Sequence, residues 1–502
     1  MKPQRTLIII AAMLLAGPGR TLQAAEPPAI GAQWQASPLP AASASIAGNA
    51  EQDRAAPGAA QTLAQLSDFA LRHNPATRSA WAAALADTKG IDAASALQKP
   101  FVGASVPVGI ASDGGAGVPA GAAAPPGLAR TIAPSLALTW VLFDFGARAS
   151  GVEAARWQAA ATQLTYNRTL QTVVNNVEQA YYGLLGARRL ETALLSGVTA
   201  AQASLDVVLA RRRAGLATAG ETAQAEAALA EARLKTLQAQ AQSRSAAGSL
   251  AAAVGAPVDT RLSLATDTAD DDDATNGDLA PVDALLATAR LARADLHALD
   301  AQVLQGKALV AATRAQGMPS VALSAQVERQ WSSDGDRRDS RRIGLTLSIP
   351  LFDGGLVRAQ TQAARARVQQ LDAQRDQQRQ AVDLEVWQAY QDAASAGAVV
   401  GSAQALLRSA AVAEDAARER YKAGVGSLLE LLVAQSTAAQ ARVTLVQARF
   451  GAQLALSRLA YATGLYAGAA ASGAAMTAST LASAGHGRVA AVPDDFAANH
   501  DQ

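Results

Sequence analysis

Four short stretches of this chain alternate apolar and polar residues with a period of two. They come in two pairs, each followed by a long segment free of proline. In the first pair, Val102, Ala104, Val106, Val108 and Ile110 share one face, with Gly103, Ser105 and Gly109 on the other; Leu136, Leu138, Trp140 and Leu142 then alternate with Ser135, Ala137 and Thr139. In the second pair, Val321, Leu323, Ala325 and Val327 alternate with Ala322, Ser324, Gln326 and Glu328. Ile343, Leu345, Leu347 and Ile349 then alternate with Gly344, Thr346 and Ser348. This pattern predicts strands with one apolar and one polar face. A barrel wall with lipid outside and water inside produces it. So do soluble hairpins that pack their apolar faces on helices.

The flanking segments read as helices. One is predicted from Thr62 to Leu97, a very long one from Gly146 to Arg212, and another from Thr218 to Val254. The second half repeats the last two as Gly355 to Tyr421 and Ser427 to Thr463. At 1.5 Å per residue the long helices reach roughly 100 Å, and helices of that length need partners along their course. Ala214-Gly215 and Ala423-Gly424 end them, since glycine suits a helix C-terminus. The two shorter helices of a copy, laid end to end, match its long helix in length.

These halves are two copies of one unit. Leu142-Phe143-Asp144-Phe145-Gly146 recurs as Leu351-Phe352-Asp353-Gly354-Gly355, a shift of 351 − 142 = 209. Arg211, Ala214 and Gly215 recur as Arg420, Ala423 and Gly424 at the same shift. Upstream, Pro100 matches Pro319 at 319 − 100 = 219, which predicts a loop ten residues longer in copy one, within Ser112 to Gly127. The units are then residues 61–255 and 281–465.

Composition narrows the class. Half of the 502 residues are apolar but only 4% are aromatic, which favours helices in close contact over one thick core. The formal net charge of +1 gives no footprint for nucleic acid. With no cysteine, disulfides, thiolate metal sites and an acylated N-terminal Cys are excluded. Residues 1–25 read as an export signal: Lys2 and Arg5, then an apolar run from Leu7 to Ala16, too short to span a bilayer. No later stretch is expected to be a transmembrane helix, so membrane residence would fall to the strands. Residues 26–60 and 466–502 are low in complexity. Residues 256–280 form an acidic linker around Asp270-Asp271-Asp272-Asp273, whose spacing lacks the glycine and terminal glutamate of a calcium loop. Four histidines without metal spacing, and no Gly-rich phosphate loop, argue against an enzyme, a cofactor or a metal site.

Four strands cannot close a membrane barrel, which needs about eight, and lipid does not tolerate open edges. Three chains would supply 3 × 4 = 12. The chain resembles the TolC-like outer-membrane efflux and secretion proteins. The marks are Leu71-Arg72-His73-Asn74-Pro75, the doubled Leu-Phe-Asp-(Phe/Gly)-Gly strand ends, and the doubled Arg-x-x-Ala-Gly turns. A departure is Arg293-Ala294 where copy one has Asn74-Pro75. The resemblance implies a mainly α fold with a small β-barrel: a homotrimer whose 12-stranded transmembrane barrel continues as an antiparallel coiled-coil tunnel. It also implies outer-membrane lipid around the barrel, and docking to a periplasmic adaptor and an inner-membrane pump of the ABC or RND type. The cargo would be protein, by type I secretion, or drugs; the missing lipid-anchor Cys favours the former. A periplasmic coiled-coil scaffold or adaptor without a barrel is the rival reading.

In that family the helical turns form the closed tip of the duct. Glu221 and Glu430 each lie six residues past a turn glycine. The resemblance makes Glu430 a lumen carboxylate, three of which would form a cation-attracting ring; a solvated helix-start glutamate is the plainer alternative. It also matches Glu221 and Tyr421 to residues that tie neighbouring hairpins, although Gly426 stands where a second, basic tie is expected. That tie is either missing or replaced through Lys422 or Arg213. Adaptor docking would use Ala214-Gly215-Leu216 and Ala423-Gly424-Val425.

Overall fold

The computed structural model describes residues 61–112, 128–265, 279–333 and 337–465. The expected export signal, the low-complexity ends and the tetra-aspartate lie outside these residues.

Copy one runs α1 (Leu63–His73), α2 (Pro75–Ala96), β1 (Phe101–Ser105), β2 (Val108–Ser112), β3 (Leu128–Ile132), β4 (Ser135–Phe143), α3 (Ala147–Arg213) and α4 (Ala219–Val254). Copy two runs α5 (Val282–Ala292), α6 (Ala294–Ala315), β5 (Ser320–Ser332), β6 (Arg337–Ser348), α7 (Leu356–Lys422) and α8 (Leu428–Thr463). Each long helix has 67 residues.

The repeated Asp-x-Gly motif starts the long helices. Gly146 and Gly355 sit at φ 87° and 85°, where only glycine is unstrained. Asp353 accepts the amides of Gly355 and Val357 at 2.8 and 2.9 Å, and Asp144 accepts those of Gly146 and Arg148 at 3.2 Å. Two orphan donors at each helix start are thereby satisfied.

The expected single helix from Thr62 to Leu97 is two. It breaks at Asn74, in extended backbone, because Pro75 disfavours helix at the residue before it. Copy two breaks at the matching Arg293 with no proline to force it. The strand region departs from expectation only in copy one. The first alternating stretch is cut in two at Val106-Pro107, and the second, realised as β4, is preceded across Ala133-Pro134 by an unforeseen strand, β3; proline gives the ladder no N–H. The sheet continues past the cut: Ala133 donates to the Pro107 carbonyl and Arg329 to that of Pro134, both at 3.0 Å. Four passes of chain therefore hold six strands, all antiparallel, in the lateral order β1/β2, β4/β3, β5, β6.

Register puts Val102, Leu138, Ala325 and Ile343 side by side, with Trp140, Leu323 and Leu345 in the next row. Among the described residues no helix covers this apolar face: Val102, Leu136, Ile343 and Leu345 are all more than half exposed. Among the described residues, the packing of hairpin on helix that the alternative reading requires is not made within the chain. The helices make a second wall. Contacts order it as four columns: α2 with α4, then α3, then α6 with α8, then α7. Core clusters recur along it, from Leu66, Val177 and Leu250 in copy one to Leu285, Val386 and Leu459 in copy two.

The expectation that no helix could cross a bilayer fails on composition alone. The helices α3 and α7 each contain a stretch long and apolar enough to do so. Most of each stretch is not buried within the chain.

Candidate functional site

The free ends of the two hairpins, α3–α4 and α7–α8, carry every candidate residue. Both turns have the same construction. Gly215 and Gly424 adopt φ 76° and 78°. Leu216 donates to the Arg211 carbonyl at 2.8 Å and Val425 to that of Arg420 at 3.1 Å, the 6→1 bond of a Schellman ending. Leu216 and Val425 point outward, 68% and 78% exposed. Nothing lies near a side chain added at Gly215 or Gly424. The two expected docking triplets, Ala214-Gly215-Leu216 and Ala423-Gly424-Val425, are thus a matched pair of open, apolar knobs.

Behind the turns the two hairpins diverge. Thr218 and Glu221 form a capping box: Thr218 Oγ1 accepts the Glu221 amide at 3.1 Å, and the Glu221 carboxylate accepts the Thr218 amide at 2.7 Å. These bonds hold the Glu221 carboxyl below its ordinary value, with the Arg211 charge adding to them. In copy two Ser427 Oγ accepts the Glu430 amide at 3.2 Å, but the Glu430 carboxylate turns away to an ion pair with Arg420.

Arg211, the counterpart of Arg420, crosses to the other hairpin. It donates to the Tyr421 carbonyl at 2.8 Å and lies 4.8 Å from the centre of the Tyr421 ring. Tyr421 is 2% exposed, packed with Val208, Leu428 and Leu431. Burial pushes its phenol up; Arg211 opposes that and Glu221 adds to it. Glu221 and Tyr421 are therefore near neighbours. The expected phenol–carboxylate bond is not made within the chain: Glu221 is engaged by Thr218, and the buried Tyr421 hydroxyl has no hydrogen-bond partner among the described residues.

Arg211 is the tie that sequence reasoning missed. Lys422 pairs with Glu419 at 2.8 Å instead, and Arg213 lies exposed at the end of α3. Gly426 is glycine for a local reason: a β-carbon there would meet Arg420 Cβ at 3.0 Å and the Tyr421 nitrogen at 3.1 Å. The signal for Arg211 was its place in the Arg-x-x-Ala-Gly turn, but the turn does not say which hairpin the guanidinium will reach.

This architecture is matched elsewhere. A family model described as outer membrane efflux protein matches residues 66–256 and 285–465. Protein CyaE of Bordetella pertussis is 33% identical over 400 residues, 76% of this chain and 79% of that one. The outer membrane protein VceC of Vibrio cholerae superposes with a TM-score of 0.68 at 22% identity, over 80% of this chain and 96% of that one. The CmeC outer membrane channel of Campylobacter jejuni does so at 0.69 and 18%, over 80% and 85%. The superpositions show the fold, mainly helical with a small sheet. With the family match they make the protein a non-enzymatic conduit of the outer membrane, its helices extending into the periplasm. The chain belongs to the outer membrane efflux protein family.

Proposed function

We propose that three copies close into one duct, the exit channel of a tripartite exporter that serves type I protein secretion or multidrug efflux. The observation that carries this is a coincidence of edges. The sheet ends in β1/β2 on one side and β6 on the other. The helical wall ends in the α2/α4 column on one side and α7 on the other. Since α2 leads into β1 and β6 into α7, both layers are open on the same two flanks. Each helical flank is apolar as well: Leu234 and Leu237 on α4, and Leu384, Trp387, Val399 and Val412 on α7, are exposed. A single wall segment with two mating flanks closes by rotation into a ring. Twelve strand passes leave no unpaired edge in lipid.

At the tip, the Arg211 bridge between hairpins supports a closed resting state, and binding of an adaptor at the turn knobs would release it. Three Glu430 carboxylates would face three Arg420 guanidiniums there, so the cation preference of the tip is set by the pair rather than by Glu430 alone.

The test is planar-bilayer recording on the purified chain with its mass measured in detergent. A trimer that conducts is expected, with Arg211→Ala raising spontaneous conductance above Tyr421→Phe, and Arg420→Gln shifting selectivity further toward cations. A monomer without conductance removes the duct; a silent Arg211→Ala removes the gate.

A further inference from the structure

The apolar face of the sheet does not stay apolar to its outer end. By register, the face that carries Leu323, Ala325 and Val327 continues on β5 as Arg329 and Trp331. On β6 it reads outward as Leu345, Ile343, Arg341, Asp339 and Arg337, and on β3 it carries Ile132 and Arg130. All four of these arginines are exposed. On this face of the sheet, among the described residues, they share one carboxylate. Arg329 takes Asp339 in a fork at 2.8 and 2.9 Å, and Arg337 reaches it only at 3.9 Å. Asp339 cannot neutralise Arg130, Arg337 and Arg341 as well.

An arginine on a lipid-facing strand costs up to about 2–4 kcal/mol at mid-membrane and little near the interface. Trp331, level with Arg337 across the β5–β6 register, marks that interface, where tryptophan rings collect. The helices lie toward the periplasm, so this end meets the outer leaflet. Guanidinium groups exposed there, sharing one carboxylate among the described residues of that face and flanked by apolar side chains, match phosphate on a lipid: a fork of donors for the phosphate and an apolar surface for the chains.

We propose that Arg130, Arg337 and Arg341, beside Trp331, form a binding surface for the phosphate groups of an anionic glycolipid in the outer leaflet. The proposal rests on the barrel reading above, which fixes this face toward lipid. Repeated around a trimer, the surface would ring the barrel with bound phosphates and anchor its depth.

The experiment uses the full chain in detergent, with retention of bisphosphorylated lipid A measured by native mass spectrometry and channel activity recorded on the same preparation. Arg337→Gln with Arg341→Gln is expected to weaken retention by about tenfold or more while conductance persists. Arg338→Gln with Arg342→Gln, on the opposite face by register, is expected to leave retention unchanged, as is excess inorganic phosphate. Dephosphorylated lipid A is expected to bind weakly to every form. Equal retention by the first double variant, equal loss in the second, displacement by free phosphate, or undiminished binding of dephosphorylated lipid would each overturn the surface. A wild-type chain that forms no channels in any lipid would instead overturn the barrel, and this inference with it.

Discussion

The break in the short-helix column is built differently in the two copies. In copy one Asn74 accepts the Ala76 amide at 2.8 Å, capping α2, and donates to the Ala253 carbonyl at 2.8 Å. In copy two Arg293 donates to the Ala462 carbonyl at 3.1 Å, the same point 209 residues on. Its remaining donors take Asp295 in a fork at 2.7 and 3.0 Å and Glu385 at 2.5 Å. Both joints stitch one helix start to the end of the helix stacked on it. One does so with a neutral amide and a proline. The other uses a charge that is 2% exposed. A buried charge is tolerated only when paired. Burial alone would lower the Arg293 pKa, but the bonds and charges of Asp295 and Glu385 hold it above the ordinary value. Conversely, the same pairing keeps Asp295 below its ordinary value despite its burial. A repeat can thus conserve a joint while exchanging the chemistry that makes it.

The largest expected effect breaks this comparison at its charged side. Arg293→Ala leaves Asp295 without its fork and should cost about 3–5 kcal/mol. Asn74→Ala loses a cap and one bond and should cost about 1–2 kcal/mol. Thermal unfolding of the two variants by circular dichroism checks the order. The sign with pH also differs. The depressed Asp295 carboxyl contributes stability in full above its ordinary value near 3.8 and loses it as pH falls through the lower folded value. Wild type should therefore weaken in acid by more than Arg293→Ala does. Equal acid sensitivity would mean that the charged joint contributes nothing copy one lacks.

The glycines facing the two joints sharpen the contrast at a smaller scale. Gly255 and Gly464 both adopt left-handed backbone, at φ 85° and 74°. A β-carbon at Gly255 would lie 2.8 Å from Asn74 Cα, whereas at Gly464 its nearest neighbours are at 3.3 Å. Alanine in either place costs roughly 1–2 kcal/mol for the conformation, and Gly255→Ala adds a backbone collision. Copy one should suffer more in a thermal melt. Equal losses would show that the joint at Asn74 gives way more readily than its geometry suggests.

Legibility followed locality. The long helices, their starts and their Schellman ends lay open in the sequence because Asp-x-Gly and Ala-Gly act within one turn, and the shared register of 209 showed both at once. The break at Pro107 lay inside an alternation that drew attention away from it, and β3, before Pro134, showed no alternation long enough to be read as a strand. The break at Arg293 carries no local mark; only its alignment with Asn74 in the repeat points to it. The tip was half legible. Glu221, Glu430 and Tyr421 could be nominated one by one, but partner choice depends on how two hairpins more than 200 residues apart come together. That decides why Arg211 leaves its own hairpin and Arg420 does not.

The smallest effect concerns that choice at the helix starts. Thr218 and Ser427 both cap, but only Thr218 has its glutamate returning to the cap amide. Thr218→Ala removes both hydroxyl bonds of a reciprocal box and should cost about 1 kcal/mol, while Ser427→Ala should cost about half of that, because the Glu430 carboxylate stays with Arg420. Hydrogen exchange at the first turns of α4 and α8 reads each start separately. The Glu221 carboxyl, held low by the Thr218 bonds, contributes in full above its ordinary value near 4.5, and its contribution fades as pH falls through the lower folded value. Protection at the start of α4 should therefore drop in acid in wild type, drop less in Thr218→Ala, which keeps the amide bond to Glu221, and be flat in Glu221→Gln. If α8 showed the same acid loss through Ser427, the Glu430 side chain would be exchanging between cap and Arg420, and the two hairpins would be alternatives of one arrangement rather than two fixed ones.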